Sequence, residues 1–297
     1  MNLRTNSREV VASAQESWGA WAPEFDNAPI EVRIVVQDRG ELAPEPVFRS
    51  QAHLFSVVSD QDNYAVMDLD ALFGYAFLSE RTVRDHSWFR WFFLDTMALW
   101  MIAQRYTMAV HAACVARDGA GILLCGRSGA GKSTLAWACA RSGWTYLTDD
   151  SSWLLMDGRG REVLGRPHQA RFRHDAPALF PELQGYVSRV RPNGKLTIEV
   201  PTSLFPGIRT APRCEIGAAV FLDRSGRRPA GYERIRAVEA AEEILGEYSS
   251  LYRDEVRAGY RRRVQRMLEA PAYRLRYKNL EEGIELLGDL HAGLLAG

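Results

Sequence analysis

Gly126-Arg127-Ser128-Gly129-Ala130-Gly131-Lys132-Ser133 is the stretch on which the reading of this chain turns. It fits the pattern G-x-x-x-x-G-K-[ST]. The apolar run Gly121–Cys125 before it reads as a strand, and Lys132–Arg141 after it reads as a helix, which is the context the pattern requires. Glycines let the backbone turn so that successive N–H groups face phosphate oxygens, and the helix N-terminus adds partial positive charge. On this reading Lys132 reaches the β- and γ-phosphates of a bound nucleotide, and the Ser133 hydroxyl ligates Mg²⁺. A plain glycine-rich turn is the alternative.

Working outward, Asp149-Asp150 closes the next predicted strand, Thr145–Leu147. A helix and a right-handed crossover would set that strand beside the loop's own strand in a parallel sheet, its carboxyl end opening toward the nucleotide. Two carboxylates there suit two tasks: holding Mg²⁺ and accepting a proton from an attacking hydroxyl. Adjacent residues of an extended chain point to opposite faces, so the pair is expected to divide these roles. The competing reading is a turn or helix N-cap, for which Asp149-Asp150-Ser151-Ser152 is good chemistry.

His111, the strand pair that follows it, Gly126–Ser133, the helix ending Ser142-Gly143, and Thr148-Asp149-Asp150 together resemble the core of the HPr kinase/phosphorylase family, ungapped from Ala109 to Asp150. The resemblance implies an α/β P-loop fold with a mixed sheet, close to phosphoenolpyruvate carboxykinase, and serine phosphorylation with ATP and Mg²⁺. It implies that Gly126–Thr134 hold the phosphates (Arg127, Ser128, Gly129, Ala130 and Thr134 included) and that Ser133 takes the metal. Asp150 is carried over as general base, Asp149 in the metal or orienting role, and His111 beside the reacting phosphoryl group. The family's E-x-R-G-L-G-like stretch has no equivalent. Gly165-Arg166-Pro167 and Ala170-Arg171-Phe172-Arg173 stand there instead, as in the shorter HPr-kinase-related proteins. The acceptor is accordingly read as a serine in a peptide or protein. The rival readings are a kinase of a free amino acid or sugar, and an ATP-dependent switch.

Arg166, Arg171, Arg173 and Lys195 form a basic set after the aspartates, suited to phosphate or substrate, or else to plain solvation. Asp223 reads as the start of a turn. Arg253 to Arg266 holds six arginines on a predicted helix, most of them expected to face water.

The 297 residues are 46% apolar and 25% charged, an ordinary globular mix. Lys+Arg and Asp+Glu both number 37, so no net field draws the chain to nucleic acid or an anionic membrane. Cys114, Cys125, Cys139 and Cys214 make no C-x-x-C pair. Arg90, Asp95 and Arg105 break the apolar stretch Trp88–Val110, which reads as a buried helix rather than a membrane span, and no apolar leader opens the chain. A cytoplasmic protein is expected, with homo-oligomerisation open. A β-rich region is expected over 1–105, ending in a helix from Thr82 to Tyr106, and a kinase domain over 106–297. Asn279 and Glu282 have capping-box spacing ahead of a last helix from Leu280.

Overall fold

Burial alternates along the early strands and runs unbroken along the later ones, and the chain builds two kinds of sheet accordingly. The computed structural model describes residues 1–19, 21, 26–156, 161–192, 194–226, 228–246 and 252–296. It divides into two units. One comprises Met1–Tyr106 with Val190–Lys195 and Ser250–Arg253; the other holds the remainder.

The first unit runs β1 (Asn2–Thr5), α1 (Arg8–Trp18), β2 (Glu31–Gln37), β3 (Val47–Gln51), β4 (Leu54–Val58), β5 (Tyr64–Asp68), β6 (Phe73–Ser79), α2 (Glu80–Arg84), α3 (His86–Phe89), a π-helical turn (Arg90–Leu94) and α4 (Asp95–Ala103). Its six-stranded sheet has the order β1-β2-β6-β5-β4-β3. Alternate residues such as Ile34, Phe55, Val57 and Met67 form the core, where Phe55 stacks on Trp100 with centroids 4.1 Å apart.

Three features depart from expectation. The run Val47–Ser59 folds as a hairpin, turning at Ala52 with φ 50° and without glycine or proline. The helix expected over Thr82–Tyr106 breaks at Asp85, whose φ and ψ of −81° and 83° leave the helical region while its carboxylate accepts from the Trp88 amide at 3.0 Å. Helix α1 has no counterpart in the sequence reading, because its buried positions are Val10, Ser13 and Ser17 and carry little apolar signal.

The second unit runs β7 (Thr107–Val110), β8 (Ala113–Arg117), β9 (Ala120–Cys125), α5 (Lys132–Arg141), β10 (Thr145–Thr148), β11 (Ser152–Leu155), β12 (Glu162–Leu164), β13 (Gln169–Arg173), β14 (Arg189–Val190), β15 (Leu196–Pro201), β16 (Arg209–Thr210), β17 (Arg213–Asp223), β18 (Gly231–Ile235), α6 (Ala237–Leu245), α7 (Asp254–Met267), β19 (Ala272–Arg276) and α8 (Leu280–Ala296). The main sheet has the order β16-β10-β8-β9-β17-β12-β11-β7, with β19 joined to β17 and β18 to β19. The architecture is mixed α/β.

The aspartate strand is not the neighbour of the loop's strand, as the crossover argument expected. Asp118 and Gly119 both take positive φ, so β8 and β9 close as a tight hairpin and β8 occupies that edge of β9. Strand β17 takes the other edge in parallel, and β10 pairs antiparallel with the far side of β8. Two antiparallel steps restore direction, so β9, β10, β17 and β19 all end at the same side of the sheet. Trp137 of α5 anchors the layer above, edge-on to Tyr146, Phe172 and Phe205.

In α7, Arg263 is buried, against the expectation for that arginine-rich face. The expected helix ends at Glu247 and Leu251 lie outside the described residues. At α8 the Glu282 amide donates to Asn279 Oδ1 at 3.0 Å, while the Glu282 carboxylate accepts from Lys278 N at 2.7 Å. Among the described residues no helix is long and apolar enough to cross a membrane.

Candidate functional site

The loop between β9 and α5 needs its glycines. Gly126, Gly129 and Gly131 take φ of 141°, 87° and 96°, a region side chains disfavour. Arg127, Ser128 and Gly129 are exposed, Ala130 is half-buried, and Ser133 and Thr134 are half-buried on the first turn of α5. Lys132 is buried. Its Nζ donates to the carbonyls of Gly126 at 2.6 Å and Arg127 at 3.3 Å, which holds the ammonium inside the curve of the loop. The start of α5 aims its unsatisfied amides the same way.

Ser133 Oγ donates to the backbone carbonyl of Asp149 at 3.0 Å, joining the loop to the end of β10. The Asp149 side chain is 5% exposed. Its Oδ1 faces the Tyr146 hydroxyl at 3.2 Å, and its Oδ2 is buried with no hydrogen-bond partner. Burial raises the Asp149 carboxyl to about 6; the Arg171 guanidinium opposes the rise and the Asp150 charge adds to it. The Tyr146 hydroxyl also lies 3.0 Å from Gln169 O, so one proton serves two acceptors. Burial pushes that phenol well above its ordinary range, helped by the Asp149 charge.

Asp150 points the other way and is half-exposed, with its Oδ1 3.3 Å from His111 Nδ1. The chain geometry explains this meeting. Strands β7 and β11 pair with each other, as do β8 and β10, so the links at His111-Ala112 and Asp149-Ser151 cross side by side. Ser152 Oγ, donating to Ala112 O at 3.0 Å, ties the crossing together. No helix follows the aspartates, since Ser152 opens β11; the N-cap alternative is thereby removed.

The basic set is dispersed. Arg171 is largely buried, donates through Nε to Glu199 Oε1 at 2.9 Å, and acts electrostatically on Asp149 and Asp150. Arg166 Nε lies 3.3 Å from His168 Nε2. Burial, followed by the charges of Arg166 and Arg171, lowers His168 to about 4, so it stays neutral at physiological pH. Arg173 lies on the Arg171 face of β13 but is exposed. Lys195 belongs to the first unit, not to the unit of the three arginines. The four therefore do not form the cluster that the sequence suggested.

Two residues at the loop escaped the sequence reading. A Cβ on Gly131 would lie 3.2 Å from the Tyr277 hydroxyl and 3.5 Å from Arg224 Nη1, and the Arg224 guanidinium sits 5.5 Å from the centre of the Tyr277 ring. The Tyr277 hydroxyl is buried without a partner. Asp223 does start a turn, accepting from Ser225 N at 3.0 Å. That Arg224 reaches the loop follows only from the parallel pairing of β17 with β9. A cavity of about 370 Å³ opens on the other side of the loop, against His111, Gly126, Arg127, Phe221 and Glu242.

Among the described residues no three His, Cys, Asp or Glu side chains gather as a protein-only metal cage. Mg²⁺ seldom needs one, since it binds through one or two carboxylates together with phosphates and waters. The Ser133 hydroxyl and the orphaned Asp149 Oδ2 fit that requirement.

A family model described as SynChlorMet cassette protein ScmC matches residues 80–167. No curated protein matches the chain. Among solved structures, the Hpr(Ser) kinase/phosphatase from Coxiella burnetii is similar at 13% identity, covering 64% of this chain and 93% of that one, with a TM-score of 0.35. That is a distant likeness.

Proposed function

We propose that this chain is an ATP- and Mg²⁺-dependent phosphotransferase of the HPr-kinase-like type, built on a P-loop core and acting in the cytoplasm on a serine hydroxyl of a peptide or protein. One observation carries the reading: a loop with three positive-φ glycines and an inward lysine touches, through Ser133, a buried aspartate with an unused carboxylate oxygen. A glycine-rich connection with a purely structural role gives no reason to bury such an oxygen there, because an unsatisfied acceptor costs about 1–3 kcal/mol.

In this reading the loop amides and Lys132 bind the phosphates, and Ser133 with Asp149 would hold Mg²⁺. The metal supplies charge neutralisation at the β- and γ-oxygens. Asp150, outward and half-exposed, accepts the proton of the serine hydroxyl. The serine oxygen bonds to the γ-phosphorus as the bond to the β–γ bridging oxygen breaks, releasing ADP. His111 orients the Asp150 carboxylate from 3.3 Å. The cavity beside His111 and Gly126 is the route proposed for the acceptor. Little covalent work falls to the protein; positioning and charge do most of it.

The test is transfer from γ-labelled ATP in the presence of Mg²⁺ and a cellular extract. The expected result is labelled phosphoserine with the wild-type chain and none with Lys132→Ala or Asp150→Asn. Label that survives Asp150→Asn removes the assigned base. Tight ATP binding with no labelled partner favours the switch.

A further inference from the structure

The outer face of the first unit's sheet is ordered in bands. Val35 pairs with Phe77, Phe77 with Tyr64, Tyr64 with Val58, and Val58 with Val47, so one apolar row crosses five adjacent strands. At about 4.8 Å per strand the row is roughly 19 Å long. Val35, Phe77, Val58 and Val47 are 36–56% exposed, on the face away from the Phe55–Val57 core. Isolated exposed apolar residues are ordinary, but a continuous row marks a surface that meets a partner.

Two residues along the strands on one side, Arg33 and Arg49 flank the row, and Arg4 lies beside Arg33. None of the three arginines enters an ion pair among the described residues; Arg33 lies over the Phe73 ring. Two residues along on the other side stand Glu45 and Asp62. Asp62 accepts from Gln37 Nε2 at 3.2 Å and is approached by Arg39 at 4.0 Å, which places it near the end of β2. Glu45 is exposed and forms no ion pair among the described residues.

We infer that this face binds a second copy of the same chain. A two-fold axis along the apolar row superposes the two rows and inverts the bands across it. Glu45 then faces Arg49 of the second copy and the reverse, and Asp62 faces its Arg33. This is the self-complementarity an isologous interface demands. An axis along the strands would instead set like charges against each other.

Light scattering and sedimentation velocity of the full chain, from about 1 to 100 µM, read the outcome. The expected mass is twice the 33.5 kDa of one chain, with dissociation favoured by salt. Val58→Lys should weaken the dimer at least about ten-fold, as should Glu45→Arg or Arg49→Glu alone, with unchanged circular dichroism. The double variant Glu45→Arg/Arg49→Glu should regain most of the lost affinity, since the pairs are reciprocal. A chain monomeric throughout the range overturns the inference, as does a dimer indifferent to both single swaps.

Discussion

In β9, five consecutive residues from Gly121 to Cys125 are buried, whereas in β2 burial alternates between Val32, Arg33, Ile34 and Val35. Unbroken burial belongs to a strand covered on both faces, and alternation to one with a face left over. The difference sets what each region can offer. The second unit has a dry strand end from which a loop presents amides and a lysine in fixed positions. The first offers breadth, with side chains in register across several strands and no concave site among them. Chemistry needs the former, association the latter.

The sharpest way to break that division is at the strand end. Lys132→Ala should lower phosphoryl transfer by about a thousand-fold or more, with the far-ultraviolet circular dichroism unchanged. Asp150→Asn should lower kcat by roughly 10²–10⁴-fold while leaving ATP affinity within about two-fold, read by steady-state kinetics beside a binding titration. If both variants retain activity, the second unit is only a scaffold.

Phe55→Ala tests independence from the opposite side. The ring is fully buried and stacked on Trp100, so the loss should be about 3–5 kcal/mol in denaturant unfolding. ATP affinity should not move. A matching loss of nucleotide binding would mean the two regions are one cooperative body.

Asp149→Asn sharpens the comparison by pH. The folded carboxyl titrates near 6, above its ordinary 3.8, so the native state binds this proton more tightly than the unfolded chain does. The favourable contribution is present below about pH 4 and lost as pH rises through 6. The asparagine variant should therefore melt higher than wild type near pH 8, by up to about 3 kcal/mol, and the gap should close on acidification. Transfer should fall in the same variant. The smallest effect is expected from Gly165→Ala, where a Cβ would lie 2.4 Å from Leu147 O and press on the strand that ends at Asp149. A cost of about 1–3 kcal/mol and a shifted Asp149 titration are expected.

How much of this was legible in the sequence depends on the range of the force that decides each feature. The helix Lys132–Arg141 was readable to the residue, because the glycines, the lysine and the Gly143 stop act within a few positions. The opposed facing of Asp149 and Asp150 was readable too, since the pleat alone dictates it. Strand order was not: the tight turn at Asp118-Gly119 decides which edge of β9 remains free, and that consequence is visible only once the sheet is assembled. Tyr146, Arg224 and Tyr277 come to the loop from three different strands or their ends, and no local pattern links them. The aspartate that cuts the long helix at residue 85 was hidden by the large apolar residues around it.

The π-helical turn at Arg90–Leu94 has a lasting effect on the helical turns beyond it. It holds one residue more than a regular turn, and this lets Phe92, Phe93 and Leu94 all be buried in succession. Deleting a single residue there would restore ordinary winding but swing the rest of the helix by about 100°. Thr96 and Leu99 would then compete for the places of Met97 and Met101, so the extra residue, once acquired, is locked in by its own downstream neighbours.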